Sequence, residues 1–403
     1  MCTLIGIDWS KNKHNICIMN EAGAQILRFS IPHSTSGFSD LEAKVNKLGV
    51  PLTDCLIALE TAHNLLIDFL WSRGFCLYVI PPSVVSSNRD RHRSSRAHND
   101  DSDAFLIADL LRTDRHRFAP WKPDGQLVRR MKAKLSLIDS LTKTITAYSN
   151  RLQAVLLRYY PQALGLFSQV KTQICLRFLI AYPTPEAALS LTYSDFAGFC
   201  RSHGYTQPHL LPDSYAQLCQ PAPQPDPVVT LAHKEETVFL AKLLLEMVRH
   251  KAREIREVQK LFAQHPDQAI FDSLPGAGDL LAPKLLVMFG DHRERYPTPQ
   301  TIRALAGTCP VTIESGQKRR VRFRRGCNRD DRHTAQQFAK ASVREAEWAA
   351  AYLSLCLARG HSKSHAYRCL ANRWLGIIWK LWQSRELYDE TYHLQQIRRH
   401  RRR

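Results

Sequence analysis

Eleven cysteines are scattered through 403 residues without a single CxxC pair. That spacing argues against a zinc ribbon, and an odd, dispersed set argues against a disulfide framework, so a reducing compartment is expected. Long apolar runs are lacking as well. No stretch approaches the roughly 20 residues that a membrane span needs, and Met1 leads straight into a strand-like segment without the apolar core of a signal peptide. The expectation is a soluble, cytoplasmic chain with no membrane partner. Acidic residues are the third shortage: 37 Asp and Glu stand against 56 Lys and Arg, leaving a formal charge of +19 and a pI near 9.6. Such an excess favours a polyanionic partner through counterion release and steering, with nucleic acid the default. Charge alone does not separate an enzyme from a structural binder. With 44% hydrophobic residues and 9% aromatics, the chain can bury the cores of two or three domains, which excludes a disordered protein.

Residues Thr3 to Asp8 read as a short apolar strand, followed by HNICIMN and ILRFSIPH across the turn-like EAGAQ, a three-strand meander. Then come the amphipathic FSDLEAKVNKLG, the buried strand CLIALE, the helix HNLLIDFLWSRG, the strand FCLYVIPP and the helix HNDDSDAFLIADLL. This βββαβαβα order predicts a mixed sheet with helices packed on it. Asp8 ends the first strand in phase with Leu4 and Gly6, and Glu60 ends the fourth in phase with Leu56 and Ala58. On the last helix Asp100 and Asp103 share a face that continues into Ile107 and Leu110, so these acids point inward, whereas Asp101 suits an N-terminal cap. If the first and fourth strands are neighbours, as in a ribonuclease-H-like sheet, four carboxylates converge. Their mutual repulsion calls for hard cations, and an oxygen-only donor set suits Mg2+ or Mn2+. The alternative is four unrelated surface acids.

IGIDWSKNKHNICI, LETAHNLLIDFLWSRGFCLYVIPPSVV and NDDSDAFLIADLL together resemble the N-terminal RuvC-like DEDD domain of the insertion-sequence transposases related to the Piv invertase. That family consists of recombinases guided by a bridge RNA. The resemblance implies that Asp8, Glu60, Asp100 and Asp103 are the four catalytic, metal-binding acids, and it matches Asp103-Ala104 to the family's Asp-Ala step. His98 stands where the family usually has lysine and Ala62 where it has glycine. The basic, Ser-rich segment from Ser86 to His98 has no apolar period and is expected to be a loop.

From Val128, apolar residues at Met131, Leu135, Ile138, Leu141, Ile145, Tyr148, Leu152, Val155 and Tyr159 form a coiled-coil-like seam. A second runs through Leu231, Val238, Ala241, Leu245, Val248, Ala252, Ile255, Val258 and Phe262. The two helices can pair within one chain or between chains, and the sequence does not choose. Between them the Pro-rich CQPAPQPDPVV closes a segment, from about Pro161 to Val229, that lies outside the stretches carrying the resemblance. The division expected is 1–125 for the RuvC-like domain, 126–265 for the helical region and 266–403 for a mostly helical C-terminal domain.

SLPGAGDLLAPKLLVMFGD sets a turn of Pro275, Gly276 and Gly278 before an apolar helix, the pattern of a helix-hairpin-helix element whose amides can hold a phosphate. An ordinary helix connection would use the same residues. Between Lys318 and Arg332 eight of fifteen residues are basic, among them Arg319, Arg320, Arg322, Arg324 and Arg325, more than a solvated face requires. A serine before glycine, as at Ser315-Gly316, is ordinarily a turn. The stretch from Leu274 to Asn328, however, resembles the C-terminal domain of the same family, and Ser315 falls where that family has its nucleophile.

The resemblance therefore implies a transposase in which Ser315 attacks DNA to give a 5′-phosphoserine link, assisted by two metal ions on the acid tetrad, with the arginines clamping phosphate oxygens. It implies donor and target DNA and a bridge RNA as partners, a homo-oligomer, dimer or tetramer, with a composite site, and a nucleoid-associated setting in a bacterium or archaeon. The C-terminal IRRHRRR reads as a further phosphate contact or as a disordered tail. Two rivals remain at this stage: a metal-dependent nuclease or junction resolvase with water as nucleophile, and a non-catalytic nucleic-acid scaffold.

Overall fold

The computed structural model describes residues 2–62, 64–91, 100–221, 223, 226–316 and 318–401. Two compact units divide the chain, Met1–Asp124 and Gly125–Arg403.

The first unit is built on five strands: β1 Thr3–Trp9, β2 Lys13–Met19, β3 Gln25–Pro32, β4 Cys55–Leu59 and β5 Cys76–Val79. Their order across the sheet is β3-β2-β1-β4-β5. The meander pairs antiparallel, whereas β1 runs parallel to β4 and β4 to β5. Both faces are covered, which is why the central strands read as nearly continuous apolar runs. On one face Ile5, Ile7, Ile57 and Leu59 pack against α1 (Thr35–Asn46) and α2 (Leu65–Ser72). Ser34 and Asn64 cap these helices, each side-chain oxygen accepting from a first-turn N–H. The other face, with Leu4, Leu56, Ala58 and Tyr78, packs against α4 (Asp100–Asp114), reached through the short α3 (Pro82–Ser87).

The segment expected to be a loop from Ser86 to His98 is partly helical. Ser86 and Ser87 end α3, and a 3-10 turn covers Arg89–Arg91. Pro81 and Pro82 start that helix, a signal upstream of the charged run that the run itself does not carry. Asn88 is the C-cap of α3, and residues 92–98, His98 among them, lie outside the described residues.

In the second unit two long helices, α5 (Gln126–Tyr159) and α10 (Pro227–Ala263), form an antiparallel hairpin. Lys134 pairs with Glu254 at 2.7 Å near its base, and Tyr159 Oη donates to Thr237 Oγ1 at 2.9 Å near its tip. The choice left open by the seams is thus made within one chain. Tyr148 and Leu231, expected in the seams, are exposed at 36% and 62%. Ser149 is buried in the place expected for Tyr148, because the inward position after Ile145 falls four residues on. Leu231 lies beyond the last turn of α5, so no partner helix covers it. Between the two helices, α6 (Gln173–Ala181), α7 (Pro185–Leu189), α8 (Tyr193–Ser202) and α9 (Leu211–Leu218) close an aromatic core of Phe167, Phe178 and Phe196 around the hairpin tip.

Further on lie α11 (Gln268–Asp272), α12 (Gly278–Phe289), α13 (Pro299–Leu305), the hairpin β6 (Val311–Ser315) and β7 (Lys318–Arg322), α14 (Arg329–Ser342), α15 (Glu347–Ala358), α16 (Lys363–Ser384) and α17 (Glu390–Arg401). Phe271, Phe289, Phe338, Trp374 and Trp382 fill the core of these helices together with Val128 and Met131 of α5. No helix among the described residues is long and apolar enough to cross a membrane.

Candidate active site

One close approach organises the first unit. A Cβ on Gly6 would lie 2.2 Å from the Ala104 carbonyl oxygen and 2.4 Å from the Ala108 nitrogen, so β1 and α4 touch backbone to backbone there. Only glycine on the strand and alanine on the helix permit this contact. Its consequence is positional. Asp8 follows Gly6 by two residues on the same strand face, and Asp103 immediately precedes Ala104, so the contact that seats the helix also sets both acids at the carboxyl end of β1.

Glu60 arrives from the neighbouring strand. Ile7 pairs with Leu59 in the parallel ladder, which puts Asp8 and Glu60 one step past the last pair. Burial raises the Glu60 carboxyl above its ordinary value, the Asp103 charge raises it further, and Arg89 opposes both. Asp103 in turn accepts from Arg89 Nη2 at 2.8 Å. Asp100 is the first residue of α4, one turn before Asp103; its side chain and that of Asp101 lie outside the described residues.

This donor set fits a hard divalent cation. The donors are carboxylate oxygens, and Glu60 is half-buried and pushed upward by a neighbouring negative charge, a repulsion that a cation relieves. Arg89 supplies part of that relief within the protein. It lies inside the basic segment of the sequence, but nothing about its spacing from Asp103 singles it out.

In the second unit Ser315 is exposed, the last residue of β6, and pairs with Lys318 across the turn. Gly316 adopts φ +56°, which explains the glycine after the serine. Directly paired residues share a face of the hairpin. Ser315 therefore lies on one side with Lys318, Ile313, Arg320, Val311 and Arg322, all on an exposed ribbon apart from half-buried Val311. Arg319 belongs to the opposite face, where its Nε meets Glu314 Oε1 at 3.1 Å. Arg325 is exposed and Arg324 half-buried.

Arg332, one of the eight basic residues, is engaged within the protein. Its Nη2 donates to the Arg324 carbonyl at 2.6 Å, and its guanidinium lies 4.4 Å from the centre of the Phe323 ring. At the Gly-rich turn, the Gly276 N–H donates to Glu345 Oε2 at 2.6 Å. A Cβ on Gly276 would come within 2.8 Å of the Ala341 backbone, whereas one on Gly278 (φ +52°) would meet no atom within 4 Å. Close packing and a φ of +76° both explain the first glycine, and backbone conformation alone the second.

Comparison with known proteins covers both units. Residues 5–161 match a family model described as a transposase, and residues 268–354 match the transposase family of IS116, IS110 and IS902. The chain is 27% identical to the mini-circle transposase named for IS117 from Streptomyces coelicolor, over 96% of this chain and 95% of that protein. It is 24% identical to the 42 kDa protein of insertion element IS900 from Mycobacterium paratuberculosis, over 95% and 96% of the two chains. With the 43.6 kDa protein of IS110 from Streptomyces coelicolor the identity is 22%, over 96% and 95%.

Proposed function

Since this chain belongs to the IS110 family of insertion-element transposases, we propose that it cuts and rejoins DNA strands through a serine-linked intermediate supported by a metal-binding acid tetrad. The family makes it a DNA recombinase. The sheet order, with acids at the ends of β1 and β4 and on α4, supports a RuvC-like, ribonuclease-H-like catalytic unit.

The reading rests above all on Ser315 at the tip of an exposed hairpin, on the same face as Lys318, Arg320 and Arg322. A hydroxyl is a weak nucleophile; Lys318 directly across from it offsets the charge that builds as a phosphodiester is attacked, and Arg320 and Arg322 further along the same face attract the DNA backbone. Ser315 Oγ gives its proton to water and bonds to phosphorus; the bond from phosphorus to the 3′ oxygen breaks, and that oxygen takes up a proton from water. The products are a 5′-phosphoserine and a free 3′ hydroxyl, so the phosphodiester bond is conserved for rejoining. Asp8, Glu60, Asp100 and Asp103 would hold Mg2+ or Mn2+, two ions, which supply Lewis-acid polarisation of the phosphate and stabilise the leaving oxygen. Arg89 holds Asp103 in place before they bind.

Sequence readout is assigned to a bridge RNA paired with donor and target DNA, while the basic chain holds backbones. The serine and acid units of one site would come from different copies of the chain in a homo-oligomer. Gly278, Arg324 and Arg325 remain candidates for backbone contact, and Gly276 for a role through the turn that it closes.

The test is a nicked DNA substrate whose downstream strand escapes after cleavage. Wild type should accumulate a denaturation-resistant protein–DNA species that requires divalent metal. Ser315→Ala should lose that species and strand exchange while still binding DNA, because no charge changes, and Glu60→Ala should lose cleavage with Ser315 intact. Cleavage by Ser315→Ala at the wild-type rate would make water the nucleophile and the protein a metal-dependent nuclease.

A further inference from the structure

Three donors of a different chemistry lie far along the chain from the acid tetrad. His361 directly precedes Ser362, the N-cap of α16; His365 is in the first turn, its N–H held by Ser362 Oγ at 3.3 Å, and Cys369 follows one turn later. Spacing of four puts His365 and Cys369 on one helix face, and His361 stacks on His365 from just before the helix. Their ligand atoms, two imidazole nitrogens and a thiol sulfur, lie within 4.8 Å of one another, and all three residues are half-buried. We propose that His361, His365 and Cys369 form a binding site for zinc or a similar borderline-soft divalent metal.

Geometry comes first. A tetrahedral zinc ion with bonds of about 2.0–2.3 Å needs its donors roughly 3.5 Å apart, so side-chain rotation of an ångström or less closes this cluster. The donor atoms also want a partner. Nδ1 of His361 is buried with no hydrogen-bond partner among the described residues, a costly state for a ring nitrogen. The two imidazoles stack with centroids 4.2 Å apart and planes at 19°, an arrangement that two protonated rings would oppose by repulsion. Burial, His361 and Arg368 all hold His365 below its ordinary value.

Cys369 completes the set. Burial raises its thiol, Cys356 raises it further through charge and a hydrogen bond, and Arg368 opposes them. On binding, the thiol would release its proton to solvent and ligate as thiolate. Cys356 on α15 touches Cys369 but is not part of the group within 4.8 Å, so among the described residues three donors would hold the metal and water would complete a tetrahedral set. Two nitrogens and one sulfur select zinc over the magnesium expected at an all-carboxylate site. The site also has mechanical reach. Arg368, adjacent to Cys369, lies 4.6 Å from the centre of the Phe323 ring just after β7, so a metal that fixes the start of α16 would stiffen the root of the Ser315 hairpin.

The proposal does not depend on the recombinase reading, and its test uses no DNA. Full-length protein, kept reduced and stripped with chelator, is titrated with Co2+ and then challenged with Zn2+. One cobalt per chain should bind with tetrahedral visible bands and a near-ultraviolet thiolate charge-transfer band, and zinc should displace it. Cys369→Ser should abolish the charge-transfer band and weaken binding at least ~10-fold. His361→Ala, which lies before the helix and leaves it intact, should weaken binding likewise without changing the far-ultraviolet circular dichroism of the metal-free protein. Absence of a thiolate band, or a Cys369→Ser protein that binds cobalt with wild-type spectrum and affinity, would overturn the assignment.

Discussion

Glu60 and Asp331 are two carboxylates raised by their surroundings, for different reasons. At Glu60 the neighbouring negative charge of Asp103 adds to burial, which suits a group waiting for a cation. Asp331, in the first turn of α14, is pushed up to about 7 by burial, with Asp330 adding and Lys132 opposing. Its folded value lies above the ordinary 3.8, so the folded chain binds that proton more tightly than the unfolded one. The stability it contributes is complete below pH 3.8 and is lost as pH rises through about 7. Asp331→Asn should therefore match wild type in urea unfolding at the acid end of that window and exceed it above neutrality. An equal difference at both pH values would assign the effect to packing instead.

At the level of elements, the β1–α4 contact and the serine hairpin make opposite demands. The contact is closed at backbone distance, and neither the Ala104 carbonyl nor the Ala108 nitrogen can step aside without moving the helix. Gly6→Ala should cost about 1–3 kcal/mol in unfolding free energy. It should also depress cleavage, because Asp8 and Asp103 separate although both remain; full activity with a destabilised fold would detach the contact from the site. The hairpin is exposed, and its two faces differ. Replacing Lys318, Arg320 and Arg322 together by Ala should flatten the slope of log DNA affinity against log salt by roughly 2 to 3. Arg319→Ala should change it by much less than a third of that, since Arg319 lies on the far face against Glu314. Equal slopes in wild type and the triple variant would remove this face from the DNA contact.

For the whole molecule, the cores show where the chain divides. Both cores of the sheet unit draw on residues no later than Trp121, and every core beyond it begins at Leu127 or later. A fragment of residues 1–124 should consequently fold alone, with a cooperative thermal transition and dispersed amide resonances. It should bind Mn2+ through the acids yet form no adduct with DNA, because it lacks Ser315. A fragment that stays unfolded would mean that the sheet depends on the helical unit.

Strand and helix types, the phase of Asp8 and Glu60 and the inward face of α4 were legible in the sequence, because each follows from a period of two or of about four within a few residues. The basic run was legible in composition and Ser315 was singled out only by the family resemblance, while the faces on which they lie were not legible. Only the pairing of β6 with β7 assigns Lys318, Arg320 and Arg322 to the serine's side and Arg319 to the other. The long seams left the partner open, and pairing within one chain was decided by contacts such as Lys134 with Glu254, distant in sequence. Arg89 beside Asp103 and Glu345 on the Gly276 amide belong to the same class of long-range contact. The His361, His365 and Cys369 spacing was present in the letters, yet a search for paired cysteines passes over it. Local periodicity is written in neighbouring residues, whereas which side chain meets which across the fold depends on register and packing that only the tertiary structure sets.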